Sequence, residues 1–163
     1  MASRDRDRAV ALSLQLARAH QELRRQIELL RAGLAQPAPT HDIFARCLAF
    51  CTALTSHHQG EDGGMFADLL RQRPDLSGTI AKLVEDHAMI APIIARVAEI
   101  AGHVAGSADA APESIRRELD GLTAIMESHF AYEERAIGAA LDDGVSPSGW
   151  ADRVFGPVAG PQR

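Results

Sequence analysis

The chain has 163 residues, 46% of them hydrophobic and 4% aromatic, which is enough apolar content for one compact, Ala/Leu-rich domain. A formal charge of -5, with Lys82 the only lysine among arginines, leaves no basic footprint and argues against nucleic acid as a partner. No apolar run is long enough to cross a bilayer. The charged start from Met1 to Arg8 is followed by an apolar stretch broken by Ser13 and Gln15, so no signal-peptide core is expected. These features predict a cytoplasmic protein with no membrane partner, and the Arg/Ala bias suggests a GC-rich bacterial source.

Four segments carry helical periodicity. The first runs from about Ala9 to Leu34, with Leu16, His20, Leu23, Ile27, Leu30 and Leu34 recurring at steps of three and four. It ends at Gln36-Pro-Ala-Pro39. Thr40 is placed to cap the second segment, whose inner line reads Ile43, Cys47, Phe50, Leu54, His57, Glu61, Met65 and Leu69. Gly63-Gly64 is a point where this helix would fray or bend, and Arg73-Pro74-Asp75 ends it. Cys47 and Cys51 are the only cysteines; one helical turn apart, they have poor geometry for a disulfide and read as small buried hydrophobes in a reducing compartment.

The third segment starts near Ser77 or Thr79 and carries Ile80, Leu83, His87, Ile90, Ile94 and Val97. Pro92 lies inside it and removes the hydrogen bond to the carbonyl near Ala88, which predicts a kink or bulge. Gly102 to Pro112 reads as a loop. Ile115, Leu119, Leu122, Met126, His129, Glu133 and Ile137 then form the fourth line, which ends around Asp142-Asp143-Gly144. The expected fold is all-α, an antiparallel up-down-up-down four-helix bundle over residues 1–144, followed by a Pro/Gly-rich tail over 145–163. The tail holds Trp150, Val154 and Phe155 and is expected to dock on its own bundle.

Each helical line places one histidine well inside it: His20, His57, His87 and His129. Two of these open the pattern His-x-x-x-Glu, as His57/Glu61 and His129/Glu133, and residues four apart share a helix face. Four imidazoles and two carboxylates in one apolar cavity are costly unless a cation lies among them. Imidazole with carboxylate suits iron, manganese or zinc, whereas calcium or magnesium would want more oxygen. His41, at a helix start, and His103, near a helix end, are poor ligand candidates. His58 and Asp62 form a competing pair turned by about 100° on the helix, and the reading places them at the edge of the site or in solvent. Glu133 is preferred over Glu134 on the same ground.

The combined pattern, His20, His57/Glu61, His87 and His129/Glu133, resembles the hemerythrin-like, or HHE cation-binding, domains over about residues 9 to 143. The resemblance implies a non-haem centre of two iron ions, oxo- or hydroxo-bridged, with zinc or manganese as substitutes in vitro. It further implies that Glu61 and Glu133 bridge the metals and that the four histidines complete the protein ligation. Two departures from the oxygen-carrying hemerythrins stand out. Ala91 occupies the position where they have a second third-helix histidine, and Glu133 follows a shorter spacing than their His-x-x-x-x-Asp, which Glu134 would match.

Two six-coordinate irons offer roughly twelve positions, and bridging carboxylates, four histidines and an oxygen bridge leave about two open, against about one with a fifth histidine. Tyr132, Met89, Glu134 and His58 are the candidates to fill the gap. Tyr132 is close enough in phase to reach the cavity but reads first as a packed ring. The expected function is binding of, or reaction with, a small ligand: dioxygen, hydrogen peroxide or nitric oxide. No protein nucleophile or separate acid/base pair is evident for an enzyme beyond the metal centre itself. The alternative is an oxygen or iron sensor whose metal binding controls a partner, and a third reading is a bundle with no metal.

Overall fold

The computed structural model describes residues 10–37, 39, 42–103 and 111–156. The charged start, Thr40, His41, residues 104–110 and the end of the tail lie outside the described residues, and with them the expectations placed there. The elements in chain order are α1 (Leu12–Leu34), α2 (Asp42–Gly60), a π-helical turn (Glu61–Met65), α3 (Phe66–Gln72), a 3-10 turn (Pro74–Leu76), α4 (Ser77–His103), α5 (Ala111–Asp142) and α6 (Ala151–Phe155). No strand occurs among the described residues, and none of their helices is long and apolar enough to cross a membrane.

α1 packs on α5, α5 on α4, α4 on α2 and α2 on α1, so the long helices close a ring. Their buried side chains form two apolar clusters, one containing Leu23, Phe50, Ile94 and Leu122, the other Leu16, Leu69, Leu83 and Ile137. Along α1 the second cluster precedes His20 and the first follows it. The order reverses from α2 to α3, returns along α4 and reverses again along α5. A buried polar layer therefore separates the two clusters.

The expected bend at Gly63-Gly64 takes the form of the π-helical turn, in which the Phe66 amide donates to the Glu61 carbonyl. Successive steps of four drift by about 40° on an α-helix. The wider turn instead keeps Glu61, Met65 and Leu69 on the buried face. At Pro92 no bulge forms, because α4 runs through it as an uninterrupted α-helix. Pro92 and Ala88 both face solvent, so water takes over the carbonyl that the proline leaves without a donor. Pro112 is also helical: it sits in the first turn of α5, where its missing amide costs nothing.

Cys47 and Cys51 are buried free thiols, as the sequence suggested. Burial pushes the Cys47 thiol up to about 12 and the Cys51 thiol up to about 11.

Candidate metal centre

Seven charged or imidazole side chains are buried in the polar layer: His20, His57, His58, Glu61, His87, His129 and Glu133. Their inward atoms fall into two groups, each compact enough to surround one cation: His20, His57, Glu61 and Glu133, and His58, Glu61, His87 and His129. Glu61 belongs to both. Its Oε1 lies 3.4 Å from His57 Nε2 and 3.4 Å from His87 Nε2. Glu133 places Oε1 3.6 Å from His20 Nε2 and Oε2 3.2 Å from His129 Nε2.

His58 is the main correction to the sequence reading. It is buried, not marginal, with its ring stacked on His87 at 3.9 Å. The error lay in giving helix α2 a single inward direction. α2 packs against both α1 and α4, so its buried arc is wide: His57 turns toward His20 and His58 toward His87. Glu61, one turn on from both, lies between them.

Ala91, where a fifth imidazole was missed, is exposed, because the inner face of α4 passes from His87 to Ile90 and Ile94. No space opens into the site there. Met89 is 58% exposed and so is no ligand candidate. Tyr132 is half-buried against the apolar cluster around Leu83 and Ile137 and joins neither group.

The outer ring nitrogens are held by a cycle of cross-helix hydrogen bonds. His20 Nδ1 donates to Glu134 of α5 at 3.0 Å, His129 Nδ1 to Asp86 of α4 at 3.1 Å, and His87 Nδ1 to Asp62 at the end of the α2 column at 2.7 Å. His57 Nδ1 donates instead to the backbone carbonyl of Val154 in α6, at 2.6 Å. Each bond fixes a tautomer and turns Nε2 inward, as the outer partners of metal-binding histidines do.

Sequence reasoning treated Asp62 and Glu134 as rivals for the metal, and it missed Asp86 and the Val154 carbonyl altogether. The available signal was adjacency: Asp62 follows Glu61, Glu134 follows Glu133 and Asp86 precedes His87, so each acid is turned toward the next helix.

Seven inward atoms have no hydrogen-bond partner: Nε2 of His20, His57 and His58, and all four carboxylate oxygens of Glu61 and Glu133. At roughly 1–3 kcal/mol for each unsatisfied buried group, the set costs on the order of 10 kcal/mol, comparable to the roughly 5–15 kcal/mol stability of a whole domain. The Nε2 atoms of His87 and His129 face each other at 3.0 Å while both Nδ1 protons are committed to carboxylates. Two lone pairs cannot meet at that distance unless a proton or a cation lies between them.

The electrostatics agree. Burial first, and then the charge of Glu133, raises the Glu61 carboxyl well above the usual range. Burial also pushes Glu133 up, but the adjacent Glu61 carboxyl and the His129 ring outweigh that and hold it low. Burial and the neighbouring His20 push His57 down to about 3, and burial with His87 lowers His58. For His129, burial is outweighed by Glu133 and Asp86, which raise it. The residues present fit cations: imidazole nitrogens and two facing carboxylates turned inward, with no hydrogen-bond partner for three of the nitrogens or for any of the four carboxylate oxygens.

A family model described as the hemerythrin HHE cation binding domain matches residues 13–141. The chain belongs to the hemerythrin HHE cation-binding family. The match spans every histidine and glutamate of this HHE centre, while α6, which supplies the acceptor for His57, lies beyond it. No curated protein and no solved structure gives a significant match to this HHE domain.

Proposed function

We propose that this HHE domain holds two iron ions and binds one small ligand, dioxygen or nitric oxide, at the open position of the pair. The observation that carries the reading is the pair of buried groups sharing Glu61, with seven polar atoms that lack any other partner. His20, His57 and Glu133 would hold one ion and His58, His87 and His129 the other, with Glu61 common to both and Glu133 spanning them. The alternating order of the apolar clusters along the four helical columns supports an antiparallel, up-down-up-down bundle around this centre.

When bound, an iron pair supplies a redox-active site for a diatomic or peroxide ligand. The protein's own contribution is positional. Glu134, Asp86, Asp62 and the Val154 carbonyl hold the imidazoles so that Nε2 faces inward, and the apolar clusters on either side exclude water. His58 changes the ligand count made from sequence. With five imidazoles, about one of roughly twelve coordination positions stays open instead of about two. That favours binding of a single ligand over peroxide turnover.

A sensor reading draws support from α6, a peripheral turn bonded directly to His57. Adding dioxygen or nitric oxide to the iron-loaded, reduced protein separates the cases. New visible absorption that reverses on degassing supports binding, whereas sustained consumption of peroxide would replace the binding account with an enzymatic one.

A further inference from the structure

The cycle of imidazole acceptors is incomplete within the bundle. Three histidines are each held by a carboxylate of the neighbouring helical column, but His57, whose acceptor by the same rule would come from α1, receives none from it. The fourth acceptor is a main-chain carbonyl brought from outside the bundle by α6. This turn has a built seat. A Cβ on Gly60 would lie 2.8 Å from Arg153 Cβ and 2.9 Å from Val154 Cγ2, and one on Gly64 would lie 2.5 Å from Trp150 Cβ.

The two glycines, one turn apart beside Glu61, thus form a groove that only residues without side chains leave open. Trp150 fills it and donates its indole N–H to Asp68 at 2.7 Å, Arg153 donates to Gln59 at 2.7 Å, and Val154 is 1% exposed.

We propose that the carboxy-terminal turn built on Trp150 and Val154 is a positioning element of the metal centre, whose seating in the Gly60/Gly64 groove sets the affinity of the His20/His57 group. The proposal rests on reading the His/Glu cluster as a metal centre. Unseated, the turn takes away the only acceptor of His57 Nδ1, and the ring is free to rotate or to change tautomer. Loss of such an outer partner typically weakens metal binding by about tenfold to a hundredfold. By linkage, a metal ion bound by His57 draws the turn onto its seat by the same factor.

The test uses zinc as probe on the full chain, with affinities read by chelator competition and seating read from the emission of Trp150, the only tryptophan. Gly64→Ala blocks the groove from the helix side and Trp150→Ala empties it from the other, and neither touches a proposed ligand. Both are expected to weaken one of two zinc-binding events by about tenfold to a hundredfold and to leave the other unchanged. Gly64→Ala should also shift Trp150 emission to the red. In a His58→Ala background, where the His20/His57 group is left intact, the same loss should appear.

Trp150→Phe, which keeps a ring in the groove, should restore most of the affinity, and it carries the test should Gly64→Ala not fold. A red-shifted Gly64→Ala protein with both zinc affinities unchanged would overturn the positioning role while leaving the metal centre standing. A wild-type chain that takes up no zinc, iron or manganese would instead remove the metal reading, and this proposal with it, before any variant is compared.

Discussion

Glu61 is the side chain both cation groups share, so Glu61→Gln separates the metal account from a purely structural one. The substitution keeps the shape and removes the charge. Without metal, burial and Glu133 push the Glu61 carboxyl toward its neutral form, so a neutral amide of the same size should cost about 1 kcal/mol or less. With metal, the expectation is the opposite.

For wild type, free metal at a hundred times Kd stabilises by about 2.7 kcal/mol per ion, or about 5 kcal/mol for two ions. At roughly 2–4 °C per kcal/mol for a domain of this size, metal should raise Tm by about 10–20 °C. Because Glu61 faces His57 in one group and His87 in the other, Glu61→Gln should weaken both and cut the rise to below about 5 °C. Thermal melting followed by circular dichroism, with chelator and with excess metal, reads both quantities. A full metal-induced rise in Glu61→Gln would refute the shared-ligand reasoning, and so would a metal-free Tm more than about 10 °C below wild type, since Glu61 would then be holding the fold itself.

His58→Ala should reduce tightly bound metal from two ions per chain to about one, while Met89→Ala leaves it at two; elemental analysis after gel filtration decides, and equal loss in both would undo the assignment of His58. Asp86→Asn weakens the acceptor that holds His129 and should lower metal affinity by about tenfold to a hundredfold, with little change in the metal-free melt. Metal uptake should release protons. Burial and Glu133 raise Glu61, and Glu133 and Asp86 outweigh burial to raise His129, so both hold their protons to higher pH than usual and a cation competes with those protons. Affinity should therefore fall as pH drops from about 7.5 to about 5.5, by roughly tenfold per pH unit for each proton released. A pH-indicator titration in weak buffer counts them, and none released would contradict these charge states. Cys47 and Cys51, with thiols pushed up to about 12 and about 11, should resist a thiol reagent until the protein unfolds. Fast labelling of the native protein would show the core to be open.

Much of this was legible in the sequence because helical periodicity and metal chemistry leave marks at fixed spacings. The apolar lines through Leu16, Leu54, Ile90 and Met126 locate the buried faces, and a histidine on each line locates the polar layer between the clusters. What stayed hidden depends on contacts between helices. His58 is one residue off the inner line, and only the packing of α2 between α1 and α4 turns that offset into a second inward direction. Asp86 and Glu134 act across helix boundaries, where no spacing rule applies. The role of Val154 is carried by its carbonyl, so its side chain gives no hint. The absence of a bulge at Pro92 was not legible, because it depends on whether the freed carbonyl meets solvent, which the helix's orientation decides.

The central claim is that the buried His/Glu layer is a dinuclear metal centre, and metal content tests it most directly. Iron, manganese and zinc per chain should be counted on protein expressed with ample iron and purified without oxygen. The account predicts about two metal ions per chain, predominantly iron, lost together in Glu61→Gln. A stable, folded chain with no bound metal, whose melting does not respond to added iron, zinc or manganese, would contradict it.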